Sequence, residues 1–252
     1  MPKLLMRLVM MIALCAACVE KTAECQGIVS EHFPQRQDLT ILCWSIPEQA
    51  DGYLSQIDVL QIDSRTMARL LWQSPLAYAY SPKIRFIEEI RTQDLPLALV
   101  ERQTGAASSQ LDVIGKKAGR IESLLELDGF KFDVEHLDGA KLPFIIVHSD
   151  ASILDVPAIY RWNGVRFVED SRSHAGYYRD LLAEDRRTLP ANSSGVVLVN
   201  LSRIAMLAGD RSGARTILTD ALASERSKGD DADKDTLRLI NQALNALTPA
   251  AR

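Results

Sequence analysis

The sequence predicts an α+β protein, with antiparallel β-meander repeats in its N-terminal part and an α-helical hairpin region after them. Three observations carry that class. Residues 87–100 (IEEIRTQDLPLALV) recur without a gap 47 residues later as 134–147 (VEHLDGAKLPFIIV). Glu88/Glu135, Leu95/Leu142, Pro96/Pro143 and Val100/Val147 are identical, and Ile87/Val134, Ile90/Leu137, Leu97/Phe144 and Leu99/Ile146 exchange one apolar residue for another. A match of that length marks a repeated supersecondary unit. Asp138-Gly139 and Asn163-Gly164 interrupt apolar runs at hairpin positions. After Asp170 the alternation of strands gives way to helical spacing.

Composition sets the frame. A chain of 252 residues with 47% hydrophobic and 25% charged residues has the make-up of an ordinary globular protein with a sizeable core. A net charge of −4 gives no electrostatic basis for binding nucleic acid or anionic lipid.

Residues 1–17 read as a signal peptide. Lys3 and Arg7 form the positive region, residues 8–14 a short apolar core, and Ala16 and Ala17 the small residues of a cut site. A membrane span needs roughly 20 apolar residues, and Glu20 and Lys21 come too soon. The alternative is a buried helix of a cytosolic protein. Cys15-Ala16-Ala17-Cys18 resembles a bacterial lipoprotein box. That resemblance implies cleavage at Ala17 and acylation of Cys18, although Cys15 stands where the pattern has an aliphatic residue. Ordinary signal-peptidase cleavage is the other reading. The expected location is therefore the periplasm, or the membrane through a lipid anchor.

With Cys18 acylated, Cys25 and Cys43 remain of the four cysteines. Exported proteins meet an oxidising compartment, so these two are expected to pair. The closed loop would contribute about 3 kcal/mol. The alternative is a free Cys43 buried in the apolar run LTILCW.

The repeat region spans residues 27–171 and reads as three units, at about 27–73, 84–127 and 130–170. Ser55-Gln56-Ile57-Asp58-Val59 matches Ser109-Gln110-Leu111-Asp112-Val113, and Arg69-Leu70-Leu71 meets Ser123-Leu124-Leu125 at the same spacing. Each unit is expected to be a meander of up to four strands. In the third these are 132–137, 144–147, 158–162 and 165–170. The second strand of each unit is a nearly continuous apolar run, as in a strand covered on both faces, so middle strands are expected to bury against neighbouring copies. Asn163-Gly164 predicts a two-residue type I′ turn.

Residues 132–147 resemble an FG-GAP/VCBS-type β-propeller blade, which runs hydrophobic, Asp, hydrophobic, Asp-Gly, then Pro and an apolar strand. Ile159-Tyr160-Arg161-Trp162-Asn163-Gly164 is similar to the closing hairpin of such a blade. The resemblance implies a partial, propeller-like β region. Closed propellers have about four to eight blades, so three units are expected to stay open, with helices covering an edge. The family's calcium loop is not expected to function. Calcium takes about six to eight oxygen ligands, and here only Asp133 and Asp138 stand near Ala140 and Lys141.

Residues 172–252 read as helices over 174–189, 195–208, 212–227 and 235–247, with a helix start signalled in Pro190-Ala191-Asn192-Ser193. Leu198, Leu201, Ala205, Gly209-Asp210, Ala214, Leu218, Ala221 and Leu222 resemble a tetratricopeptide-type hairpin. One copy is visible, and an ordinary αα-hairpin packed on the sheets is the alternative.

No catalytic constellation emerges. His32, His136, His148 and His174 lack the spacing of a zinc protease. His148-Ser149-Asp150 holds the residue types of a hydrolase triad without the geometry of one, and reads as a polar loop after an apolar strand. Glu88-Glu89 and Glu135-His136 read as solvated turn residues. Tyr160, Trp162 and Phe167 read as cross-strand packing. The expectation is a non-enzymatic exported protein without cofactor or metal, binding or scaffolding another envelope protein or an extracellular ligand. The alternative is an envelope hydrolase or carbohydrate-active enzyme with unplaced catalytic carboxylates.

Overall fold

A computed structural model describes residues 27–32, 39–45, 54–62, 68–74, 77–78, 83–93, 95–149, 154–190 and 193–247. Among them the chain is α+β, with antiparallel sheets followed by four α-helices. It divides into two compact units, Met1–Asp128 and Gly129–Arg252.

The first unit contains two meanders. β1 (Gly27–His32), β2 (Leu39–Ser45), β3 (Leu54–Ile62) and β4 (Ala68–Gln73) pair in sequence order, and β5 (Ala77–Tyr78) adds to β3. β6 (Lys83–Thr92), β7 (Leu95–Gly105), β8 (Ser108–Lys117) and β9 (Arg120–Gly129) form the second. The apolar run in β7 is covered on both faces: Leu97, Ala98, Leu99 and Val100 are all at most 3% exposed. Ala98, Val100 and Ile114 pack with Ile57 and Val59 of β3, so the two sheets share this core.

The second unit opens with β10 (Lys131–Glu135), β11 (Phe144–His148), β12 (Ala158–Trp162) and β13 (Phe167–Glu169), again in meander order. α1 (Ala175–Thr188), α2 (Gly195–Leu207), α3 (Arg211–Ser227) and α4 (Lys234–Leu247) follow. Phe144 and Ile146 of β11 and Ile159 of β12 lie in one core with Tyr178 and Leu182 of α1 and Ile204 of α2. That face of the middle strand is buried by helices rather than by another meander.

The turns divide two ways. At Leu137–Ala140 the Ala140 amide donates to the Leu137 carbonyl at 2.9 Å, and both central residues, Asp138 and Gly139, have positive φ (+52° and +70°). A type I′ turn requires that combination. At Asn163-Gly164 the expected two-residue turn does not form. Trp162 pairs with Phe167, leaving a four-residue loop in which only Gly164 is in the left-handed region. The cause is the Asn163 side chain, whose Oδ1 accepts from the amides of Val165 (3.0 Å) and Arg166 (2.9 Å) and closes the loop itself. The fourth strand accordingly starts at Phe167, and Val165 stands in solvent.

Strand pairing sets a different register from the gapless sequence match. Ile84 faces Val100 in the second sheet, and Phe132 faces Val147 in the third. Matching Val100 to Val147 thus matches Ile84 to Phe132, one residue away from the gapless sequence match. A bulge between Ile87 and Arg91 accompanies the slip.

In the helical region Ser194, one residue beyond the expected signal, caps α2 by accepting from the Val197 amide, and Asp210 caps α3 by accepting from Gly213 at 2.8 Å. Gly209 (φ +84°) lets the chain reverse between them. Ala205, Ala214, Leu218 and Ala221 are buried in the same core, with Ile240 of α4. α4 approaches the start of α2 so closely that a Cβ at Gly195 would lie 2.3 Å from Thr236 Cγ2. No helix among the described residues is long and apolar enough to cross a membrane.

Candidate functional site

The polar chemistry of the second unit gathers around two histidines. β10 and β11 are antiparallel neighbours, and Lys131 faces His148 across the pair. Asp133, two residues on from Lys131, therefore points its side chain to the same side of the sheet. His148 Nε2 lies 3.2 Å from Asp133 Oδ2, and His148 Nδ1 lies 3.0 Å from Asp155 Oδ2. Lys131 Nζ sits 2.7 Å from Asp133 Oδ2. Ser149 donates to Asp155 Oδ1 from its amide (3.2 Å) and its hydroxyl (3.0 Å).

These charges tune one another. The hydrogen bond with Asp155 holds the His148 imidazole above its ordinary 6.5, against the opposing effect of burial. Burial pushes the Asp155 carboxyl up, but hydrogen bonds from His148 and Ser149 outweigh it and hold it below 3.8.

The second histidine ends the turn before α1. His174 is buried, with its ring edge-on to Phe144 at 4.6 Å. Its Nδ1 lies 2.8 Å from Asp138 Oδ2, and its Nε2 is 3.6 Å from Asp170 Oδ2. Asp170 also accepts from Ser173 Oγ (2.7 Å) and Arg161 Nε (2.8 Å). These bonds hold its carboxyl below 3.8 although burial pushes it up.

This geometry relocates several residues singled out in the sequence. Asp133 and Asp138, the two carboxylates at the calcium-loop positions, are directed to different histidines and do not converge. Among the described residues no group of three or more His, Cys, Asp or Glu is placed to hold a metal. His148 is the last residue of β11, not part of a loop. Ser149 bonds to Asp155 and not to the imidazole, so the nucleophile-to-base contact of a hydrolase triad is not made. Asp150 lies outside the described residues, as do Cys18 and Cys25. Cys43 lies in β2, opposite Ile28 of β1 and Asp58 of β3. Glu88 bonds with Arg91, and His136 Nδ1 lies 3.0 Å from the Ala140 carbonyl. Trp162 and Phe167 pack with ring centroids 5.3 Å apart.

Sequence reasoning missed three features. Ser74 and Ser171, each just after a fourth strand, accept from the buried amides of Ile57 (2.9 Å) and Ile159 (3.0 Å) on the third strand. Serine at that recurring position was the available signal. Arg102 and Asp112 form a buried ion pair across β7 and β8 in the first unit. Asp185 on α1 is the third. Its Oδ2 is buried without a hydrogen-bond partner, and burial, with Glu184 beside it, pushes its carboxyl up to about 6.

A raised carboxyl favours the fold when protonated, so its contribution is complete below 3.8 and is lost as pH rises through about 6. Asp185→Asn is therefore expected to raise the melting temperature at about pH 8 and to change it little at about pH 3.5. An unchanged or lower melting temperature at the alkaline pH would show that Asp185 has a partner.

In comparisons with protein-family models, with curated proteins and with solved structures, nothing matches this chain.

Proposed function

We propose that the protein is a non-catalytic binding or scaffolding component of the bacterial cell envelope, exported by residues 1–17 and held to the membrane through an acylated Cys18. Its β region is an open, propeller-like set of FG-GAP/VCBS-type units, and its helices form a tetratricopeptide-like hairpin. The observation that carries this reading is the use made of the acid–base side chains. Both nitrogens of His148 face aspartates, and His174 fastens the Asp138 turn to α1. Groups held this way join elements of the fold, and among the described residues no hydroxyl is hydrogen-bonded to either imidazole.

A second reading, an envelope hydrolase or carbohydrate-active enzyme, draws on Asp185. A carboxyl raised to about 6 has the protonation behaviour of a general acid. It would need a second carboxylate across a substrate, and Glu184 beside it is exposed and ion-paired with Arg187.

Metabolic labelling with palmitate in a bacterial host tests the first reading. The full chain is expected to take up label and to fractionate with the envelope, and Cys18→Ala to lose the label. Unlabelled protein in the envelope fraction would leave ordinary cleavage at Ala17, and retention in the cytoplasm would overturn export altogether.

A further inference from the structure

We propose that His148 is a proton-operated clasp that joins β10 to the segment 154–157, closed when both ring nitrogens carry hydrogen. The inference rests on the geometry of the second unit and not on the export reading. An ionised carboxylate only accepts hydrogen bonds. His148 meets Asp155 at 3.0 Å on Nδ1 and Asp133 at 3.2 Å on Nε2. Both contacts are hydrogen bonds only if both nitrogens donate, and that is the imidazolium. A neutral ring has one N–H, so on losing its proton it sets a bare lone pair against one of the two carboxylates. The arm to Asp133 is the one expected to open, because Asp133 retains Lys131 while Asp155 keeps His148 Nδ1 and Ser149.

The surrounding charges agree with a cation at this position. β10 presents Asp133 and Lys131, and the 154–157 segment presents Asp155. α1 presents Tyr177, whose hydroxyl is pushed up to about 12, first by burial and then by Glu135, and so stays neutral while a histidine titrates. Lys131 is the one positive group among these, and it is paired with Asp133. The His148 proton is held above the ordinary value, so the stability it contributes is present below 6.5 and lost as pH rises through the raised value. Asp155 is lowered, so its share is present above 3.8 and lost as pH falls through the lowered value. The clasp is whole between those limits.

An NMR pH titration of the full chain tests this, with the His148 ring assigned by His148→Gln. The ring is expected to titrate above 6.5. Asp133→Asn, a change at a partly exposed residue, is expected to weaken its proton affinity. A ring that titrates at or below 6.5 would overturn the proposal. So would an Asp133→Asn protein with an unmoved titration.

Discussion

Asp112→Ala is expected to destabilise the first unit by about 3–5 kcal/mol, read by chemical denaturation. Arg102 and Asp112 are 3% and 4% exposed, on neighbouring strands. Arg102 Nη2 donates to Asp112 and, at 3.0 Å, to Gln110 Oε1, while Nε and Nη1 have no partner among the described residues. Removing the carboxylate leaves a buried guanidinium charge without its counter-ion, and a guanidinium cannot shed its proton. Burial, joined by the nearby charges of Glu126 and Asp128, pushes the Asp112 carboxyl above 3.8 against the attraction and hydrogen bond of Arg102. Replacing a buried ion pair by apolar side chains of similar volume removes the loss of hydration together with the attraction, so the double change Arg102→Met with Asp112→Leu is expected to be neutral or stabilising. A single Asp112→Ala costing under about 1 kcal/mol would mean that water or another side chain solvates the arginine.

Tyr178→Ala is expected to cost the second unit about 3–5 kcal/mol, the range for truncating a buried aromatic. Tyr178 is 0% exposed, and its core includes Phe144 and Ile146 from the sheet and Leu182 and Ile204 from the helices. Its hydroxyl donates to the Pro157 carbonyl at 2.6 Å. Tyr178→Phe keeps the ring and loses that bond, leaving a carbonyl without its donor, for about 1–3 kcal/mol. Thermal melts of the two variants separate packing from hydrogen bonding. Equal losses would place the whole effect in the hydroxyl.

Much of the strand framework was legible because its signals are local. The apolar run of 97–100 announced a strand covered on both faces, and Asp138-Gly139 announced its turn. The Asn163-Gly164 turn was misjudged because a side chain competed with the backbone: Asn163 Oδ1 takes the amides that a tighter turn would have left to the strands. The candidate site was not legible at all. His148 looks like a polar residue ending an apolar run, and its partners stand 15 residues before it and 7 after. The Asp138–His174 contact spans 36 residues.

By itself the sequence determined the elements: three β meanders, then helices, each set by the spacing of apolar residues along a short stretch of chain. Only the tertiary structure decided what those elements bury. It placed the helices over the Phe144–Ile146 face and put Asp155 and Asp133 on either side of one imidazole. The reason is that periodicity tells which face of an element is apolar, while the partner of that face depends on contacts between residues far apart in the chain, about which local spacing carries no information.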